Sequence, residues 1–210
     1  YLSETLRRGQ EGVLSDLQRR QIGIVYNAAL TLISTASDVI ELASAGDNLA
    51  DPEPRPFTVR EALTSVHSVV QPIAEEKGIV LRIRGESDEP RLGNPVALSR
   101  VLLNLTTNAL KFTDRGEVEI AVAECGNDRL EFSVRDTGRG IPADILATLY
   151  QPFRRTDGRT SGYYFSGSGL GLAICRKLVR VMGSELQVQT ELNVGTRFYF
   201  ELDLPKAHLA

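Results

Sequence analysis

The sequence predicts an α+β fold, a two-layer α/β sandwich preceded by a long helix or helical hairpin. Three observations predict it. Helical periodicity recurs in separate segments, short alternating segments between and after them read as strands, and "GDNLADPEPRP" (46–56), with three prolines, cuts off the leading helix. Helices collected around an antiparallel or mixed sheet bury one face of each, which is the two-layer arrangement.

Taken in order, residues 13–45 place Leu14, Leu17, Ile22, Val25, Ala29, Leu32, Ala36, Val39, Leu42 and Ala43 close to a heptad pattern. A helix that long with an apolar stripe needs a partner, so residues 1–50 are expected to form a helical dimerisation segment, part of a hairpin. Residues 51–56 form the linker, 57–205 the main domain and 206–210 a tail. "TVREALTSVHSVVQPIAEEKG" reads as a helix with Thr58 as N-cap and Gly78 as stop. "IVLRIRG" alternates as a strand, and the "NPVALSRV…KFT" helix follows. "GEVEIAVAE" and "RLEFSVRD" form a hairpin around Gly126-Asn127-Asp128. A short helix opens at Pro142. Residues 154–168 carry no periodicity, a helix spans about 169–182, and "ELQVQTE" and "TRFYFELDL" are the last strands.

Composition sets bounds. The 210 residues hold one good-sized core plus a smaller element. A 42% apolar and 24% charged composition is that of a globular domain, and a net charge of −3 gives no reason to expect a nucleic-acid surface. Cys125 and Cys175 have no metal-ligand spacing and read as reduced thiols. No apolar run approaches a membrane span, and no signal peptide opens the chain. With Tyr1 first and Met182 the only methionine, a fragment of a longer protein is expected, and a cytoplasmic one. Any membrane contact would come through missing parts of the parent.

Four local patterns carry chemistry. On the helix through "NLTTNALKFT", the polar side chains Asn104, Asn108 and Lys111 lie within roughly 60° of one another. Leu98, Val101, Leu102, Leu105, Ala109 and Phe112 form the expected core face. Such a stripe is either a solvated face or a wall turned to a ligand. "RDTGRGI" ends a strand in Asp136 and continues with Gly138 and Gly140. This is either a turn or a carboxylate placed to accept a ligand's hydrogen bond beside backbone able to close on a flat ring. Gly167, Gly169 and Gly171 lead straight into a helix, whose free N–H groups and dipole favour phosphate. No Gly-Lys-Ser/Thr follows, so this is not a Walker loop. The glycine-rich "RRTDGRTSGYYFSGS" before it has the length and composition of a lid. Tyr163, Tyr164 and Phe165 inside it are either lid packing or a contact patch. Gly195 and Thr196 open the last strand.

In this order, Asn-x-x-x-Asn-Ala-x-Lys, Asp-x-Gly-x-Gly, "YQPF", Gly-x-Gly-Leu-Gly-Leu and Gly-Thr, the set resembles the catalytic, ATP-binding domain of two-component sensor histidine kinases, within the GHKL ATPase group. The resemblance covers about residues 56–204 and implies the Bergerat-type fold of that group. It implies that Asp136 receives the adenine amino group while Gly138 and Gly140 line the ring, that Asn108 ligates Mg²⁺ beside Asn104, and that Lys111 neutralises phosphate. Tyr150 and Phe153 match the aromatic box, Arg155 is the candidate for the γ-phosphate, Gly167, Gly169, Leu170 and Gly171 shape the phosphate-facing helix start, and Thr196 matches the last box. The implied catalytic residues are Asn104, Lys111 and Arg155, the cofactors ATP and Mg²⁺, and the partners a response-regulator receiver domain and a second copy of the chain through the N-terminal helix. Hydrolytic members of the group carry a glutamate where this chain has Asn104. An amide cannot act as general base near neutral pH, which favours phosphoryl transfer or plain binding over hydrolysis.

Two departures stand out. The phosphoacceptor motif His-Glu-x-x-Thr-Pro is absent, and neither His67 nor His208 has its neighbours. "SDVIELASAGDNLA" resembles only the end of the second hairpin helix, so the acceptor is expected to lie outside the fragment or to be degenerate. The alternative function is a degenerate kinase serving as a nucleotide-binding dimerisation scaffold. A serine kinase of the anti-sigma type shares the site but not the long leading helix. "GNP" (93–95) stands where the family has Gly-Asp-Pro, which should alter capping rather than chemistry.

Overall fold

The computed structural model describes residues 54–126, 128–151 and 170–207. The expected N-terminal helix, Asn127 at the hairpin tip, residues 152–169 and the last three residues lie outside them. In chain order the elements are β1 (Arg55–Thr58), α1 (Val59–Lys77), β2 (Val80–Arg84), β3 (Pro90–Gly93), α2 (Pro95–Phe112), β4 (Glu117–Gly126), β5 (Arg129–Asp136), α3 (Ala143–Leu146), α4 (Gly171–Val181), β6 (Gln187–Glu191) and β7 (Gly195–Asp203).

Helix α1 begins and ends where its sequence dictates. Thr58 accepts from the Glu61 N–H at 3.1 Å while the Glu61 carboxylate accepts from the Thr58 N–H at 2.9 Å, a complete capping box. Gly78 closes the helix at φ +66°, a conformation costly for residues with a Cβ. Pro72 sits inside the helix on an exposed position, so the Ser68 carbonyl it deprives of a partner can turn to water. Asn94 caps α2 by accepting from the Ala97 N–H at 2.9 Å, with Pro95 in the first turn. In the Gly-Asn-Pro segment the asparagine is thus the helix cap. Lys77, at the end of α1, donates to the carbonyls of Leu110 and of Thr113, the latter at 2.8 Å, and so closes the C-terminus of α2.

Five strands form one mixed sheet in the order β2-β4-β5-β7-β6, with β2 parallel to β4 and the other pairs antiparallel. Alternate residues of the central strands, such as Val118, Ile120, Phe132, Val134, Phe198 and Phe200, are buried, and with α1, α2 and α4 they enclose a single core. Phe132 and Phe200 stack within it at 5.6 Å between ring centres. The α+β sandwich is therefore the fold of the chain. Neither Cys125, which is exposed, nor Cys175, which is buried, is in a disulfide. Among the described residues no helix is long and apolar enough to cross a membrane.

A second, smaller sheet was not expected from the sequence. β1 pairs antiparallel with β3, and the chain after β7 adds itself to the other edge of β3. Leu92 N–H donates to Pro205 O and Ala207 N–H to Pro90 O, both at 2.8 Å. Backbone pairing thus reaches into both flanks of the expected 57–205 unit, into the linker at Arg55 and into the tail at Lys206. At its centre lies Arg91, 3% exposed, which donates to the Leu204 carbonyl at 3.0 Å and pairs with Glu89, Glu124 and Asp128.

One core prediction fails. Leu98, Val101, Leu102, Leu105 and Ala109 are buried, as expected, but Phe112 is half-exposed and stands outside the core. Its ring instead faces two cations, with the Arg139 guanidinium at 4.7 Å and the Lys111 ammonium at 5.2 Å from its centre.

Candidate functional site

Asp136 is the last residue of β5, on the side of the sheet that faces the helices, and only 7% of it is exposed. Its Oδ1 accepts from the N–H of Gly138 at 2.8 Å and of Thr196 at 3.2 Å. Thr196 is its direct cross-strand partner on β7. Neither bond uses Oδ2. Burial pushes the carboxyl above the usual aspartate range, and the two backbone N–H bonds only partly offset it.

The loop after Asp136 is held on both sides. A Cβ at Gly138 would sit 2.4 Å from the Phe112 carbonyl oxygen, so only glycine allows the backbone to lie against the end of α2. Gly140 adopts φ +69°. On the far side Asn193 N–H donates to Arg139 O at 2.9 Å, and Thr190 Oγ1 accepts from Ile141 N–H at 2.8 Å and meets Thr196 Oγ1 at 3.1 Å. Thr190 and Thr137, whose hydroxyl accepts from Glu117 N–H at 3.0 Å, brace this loop. Neither was foreseen, because each sits on an alternating strand or in a turn and gains its partner only through sheet register.

The α2 stripe continues from the same place. Asn104, Asn108 and Lys111 are half-exposed on one side of the helix. The start of α4 faces them: a Cβ on Gly171 would lie 3.8 Å from the Asn104 amide and 4.0 Å from Asn108 Nδ2. One surface therefore runs from Asp136 through Gly138 and the end of α2, along Lys111, Asn108 and Asn104, to the N-terminus of an eleven-residue helix. It has a hydrogen-bond acceptor at one end and cationic, amide and helix-terminal donors at the other.

The remaining expected residues divide. Leu170 is fully buried and its side chain packs in the core. Tyr150 donates its hydroxyl to Leu186 O at 3.2 Å and lies under the Arg176 guanidinium, 4.7 Å from the ring centre, so it anchors the chain beside α4. Burial raises its phenol above the ordinary range. Arg176 is itself held by Glu185, which also binds Arg180 and is drawn down to about 2 by those hydrogen bonds. Phe153, Arg155, Gly167, Gly169 and the Tyr163–Phe165 run lie outside the described residues.

Among the described residues no three His, Cys, Asp or Glu side chains cluster to hold a metal. A cation at this site would depend on the Asn108 amide oxygen and on the phosphates of a ligand, a donor set that fits Mg²⁺, which keeps few protein ligands.

Known proteins share this fold and part of this sequence. The family model described as "Histidine kinase-, DNA gyrase B-, and HSP90-like ATPase" matches residues 93–206. The signal transduction histidine-protein kinase BarA of Escherichia coli strain K12 is 32% identical over 197 residues, which cover 91% of this chain and 21% of that protein. The sensor histidine kinase RcsC of Salmonella typhimurium is 34% identical over 187 residues, 88% of this chain and 20% of that protein. The chain thus spans about a fifth of the length of these relatives. A crystal structure of full-length ShkA in complex with AMPPNP superposes with a TM-score of 0.74 at 29% identity, covering 99% of this chain and 46% of that one.

Proposed function

Since the chain belongs to the histidine kinase-, DNA gyrase B- and HSP90-like ATPase family, we propose that it is the ATP·Mg²⁺-binding kinase part of a two-component sensor histidine kinase. The surface running from the Asp136 carboxylate to the amides of α2 and the start of α4 carries this reading. Its polarity matches a nucleotide lying lengthwise, with the adenine amino group donating to Asp136 Oδ2 and the phosphates between Lys111, Asn108, Asn104 and the first N–H groups of α4. ShkA, whose crystal structure superposes on this chain with a TM-score of 0.74, is in complex with AMPPNP, an ATP analogue. Mg²⁺ held at Asn108 would screen the phosphate charge.

In the transfer the bond between the γ-phosphorus and the oxygen leading to the β-phosphate breaks, a bond from that phosphorus to a histidine nitrogen forms, and ADP leaves. This chain's part is to bind and orient the nucleotide and to offer fixed donors where charge develops. Asn104 supplies an amide and no carboxylate, so no general base is placed there to activate water. The acceptor histidine is assigned to a segment outside this chain, the next recipient to a receiver domain of a response regulator, and homodimerisation to residues 1–50. Of the two histidines, His67 is a residue of α1 and His208 lies beyond the described residues.

Titration of the chain with AMPPNP in a calorimeter tests the reading. One saturable site whose affinity rises when Mg²⁺ is added is expected, and incubation with γ-labelled ATP should leave no acid-labile label on this chain. Failure to bind AMPPNP removes the proposal.

A further inference from the structure

Phe112 and Arg139 are not explained by the site as assembled above. Phe112 follows Lys111 at the end of α2, where the amphipathic pattern would bury it, yet it stands outside the core. Arg139 occupies the position between the two glycines of the Asp136 loop and is exposed. Its backbone is fixed at both ends of the peptide unit: the N–H donates to the Phe112 carbonyl at 3.4 Å and the C=O accepts from Asn193 N–H at 2.9 Å. An arginine so placed could extend into water, but its guanidinium instead lies back over the Phe112 ring at 4.7 Å from the centre. The Lys111 ammonium lies 5.2 Å from the centre of the same ring. Among the described residues no carboxylate pairs with Arg139.

The cation–π contact that holds the Arg139 guanidinium is worth little at an exposed site, about 0.5–1 kcal/mol. A phosphate beside the guanidinium would supply the charged partner that Arg139 does not have among the described residues. The ring stands where the Asp136 loop meets α2, between the carboxylate end and the amide end of the proposed nucleotide surface. We propose that Arg139, held in place by Phe112, is a second polyphosphate-binding cation that acts together with Lys111. The inference rests on the nucleotide reading given above and adds to it a residue from the loop otherwise assigned to adenine. A guanidinium offers paired N–H donors to phosphate oxygens, so the contribution depends on charge and on planar geometry together.

The test compares adenosine, ADP and AMPPNP on the full chain and its variants by calorimetry. Arg139→Ala is expected to weaken ADP and AMPPNP by about tenfold and to leave adenosine within about twofold, as loss of a charge-assisted hydrogen bond to phosphate would. Phe112→Leu keeps an apolar side chain of similar bulk and removes the ring. It should weaken ADP and AMPPNP by about threefold, and the loss in the double variant should be less than the two single losses added together, because the ring acts in part through the arginine. Equal losses for all three ligands would assign Arg139 to the shape of the loop and overturn the proposal. So would unchanged ADP and AMPPNP affinity, or additive losses in the double variant. Failure of the unaltered chain to bind any of the three would be recognised separately, since it removes the nucleotide reading itself.

Discussion

Asp136 carries opposed demands, and they separate in a single substitution. Asparagine keeps an oxygen able to accept from Gly138 and Thr196 but offers the ligand a mixed group in place of a carboxylate. Asp136→Asn should weaken nucleotide binding by roughly 1.5–3 kcal/mol, about tenfold to a hundredfold, in a calorimetric titration. Its effect on the unliganded fold runs the other way. The folded pKa of Asp136 is raised by burial, so the proton is held more tightly in the folded state. That stability is fully present below the unfolded pKa and is lost as pH rises through the raised folded value. At pH 7 the unliganded variant should therefore melt at or above the temperature of the parent chain, and the gap should close in acid below the ordinary aspartate range. A variant that melts lower at pH 7 by more than a few degrees would mean the carboxylate's own hydrogen bonds outweigh its desolvation. That Asp136, Gly138, Gly140, Asn104, Asn108 and Lys111 belong to one candidate surface was legible because each sits in a short motif. The contacts of Thr190 and Arg139 were not, since they come from sheet register and from an aromatic ring 27 residues earlier in the chain, which no local spacing encodes.

At the scale of elements, the ends of α1 and α2 decide how firmly the amide stripe is presented. Lys77 closes the C-terminus of α2 with its ammonium, at the cost of partial desolvation that lowers its pKa. Lys77→Met keeps the apolar stem and deletes the donor. It should lower stability by about 1–2 kcal/mol in urea, less than a fully buried charged hydrogen bond because Lys77 is only partly covered. Nucleotide affinity should fall only slightly, since the bonds Lys77 gives go to the backbone carbonyls of Leu110 and Thr113. The helices and their caps were readable from the sequence: Thr58, Gly78 and the Asn94-Pro95 start all act as their residue types dictate. The two strands of the small sheet were not. Each has four residues and contains proline, and such a segment becomes a strand only when a partner at long range supplies the ladder. Phe112 misled for a related reason. Periodicity puts it on the core face, but the Asp136 loop, packed against the last turn of α2, brings Arg139 to it instead.

The whole molecule is closed by the small sheet, in which β3 has β1 on one edge and residues 205–207 on the other. Arg91 is the polar centre of that closure, and its acidic partners are mostly exposed, so removing it strands the Leu204 carbonyl more than it strands a buried charge. Arg91→Met should lower the urea midpoint by the equivalent of about 1.5–3 kcal/mol while leaving AMPPNP affinity unchanged. A matching loss of affinity would couple the closure to the nucleotide surface. The strand order β2-β4-β5-β7-β6 was beyond sequence reasoning, because hydrophobic alternation gives the buried face of a strand and not its neighbour. The closure also has a mechanical side. β1 enters beside Gly93 and the final stretch leaves beside Pro90, at opposite ends of the strand between them. Tension between Pro54 and Ala207 would load those ladders in shear, with every hydrogen bond strained at once rather than peeled in turn. The core and its cleft would be shielded from the pull until that clasp gave way.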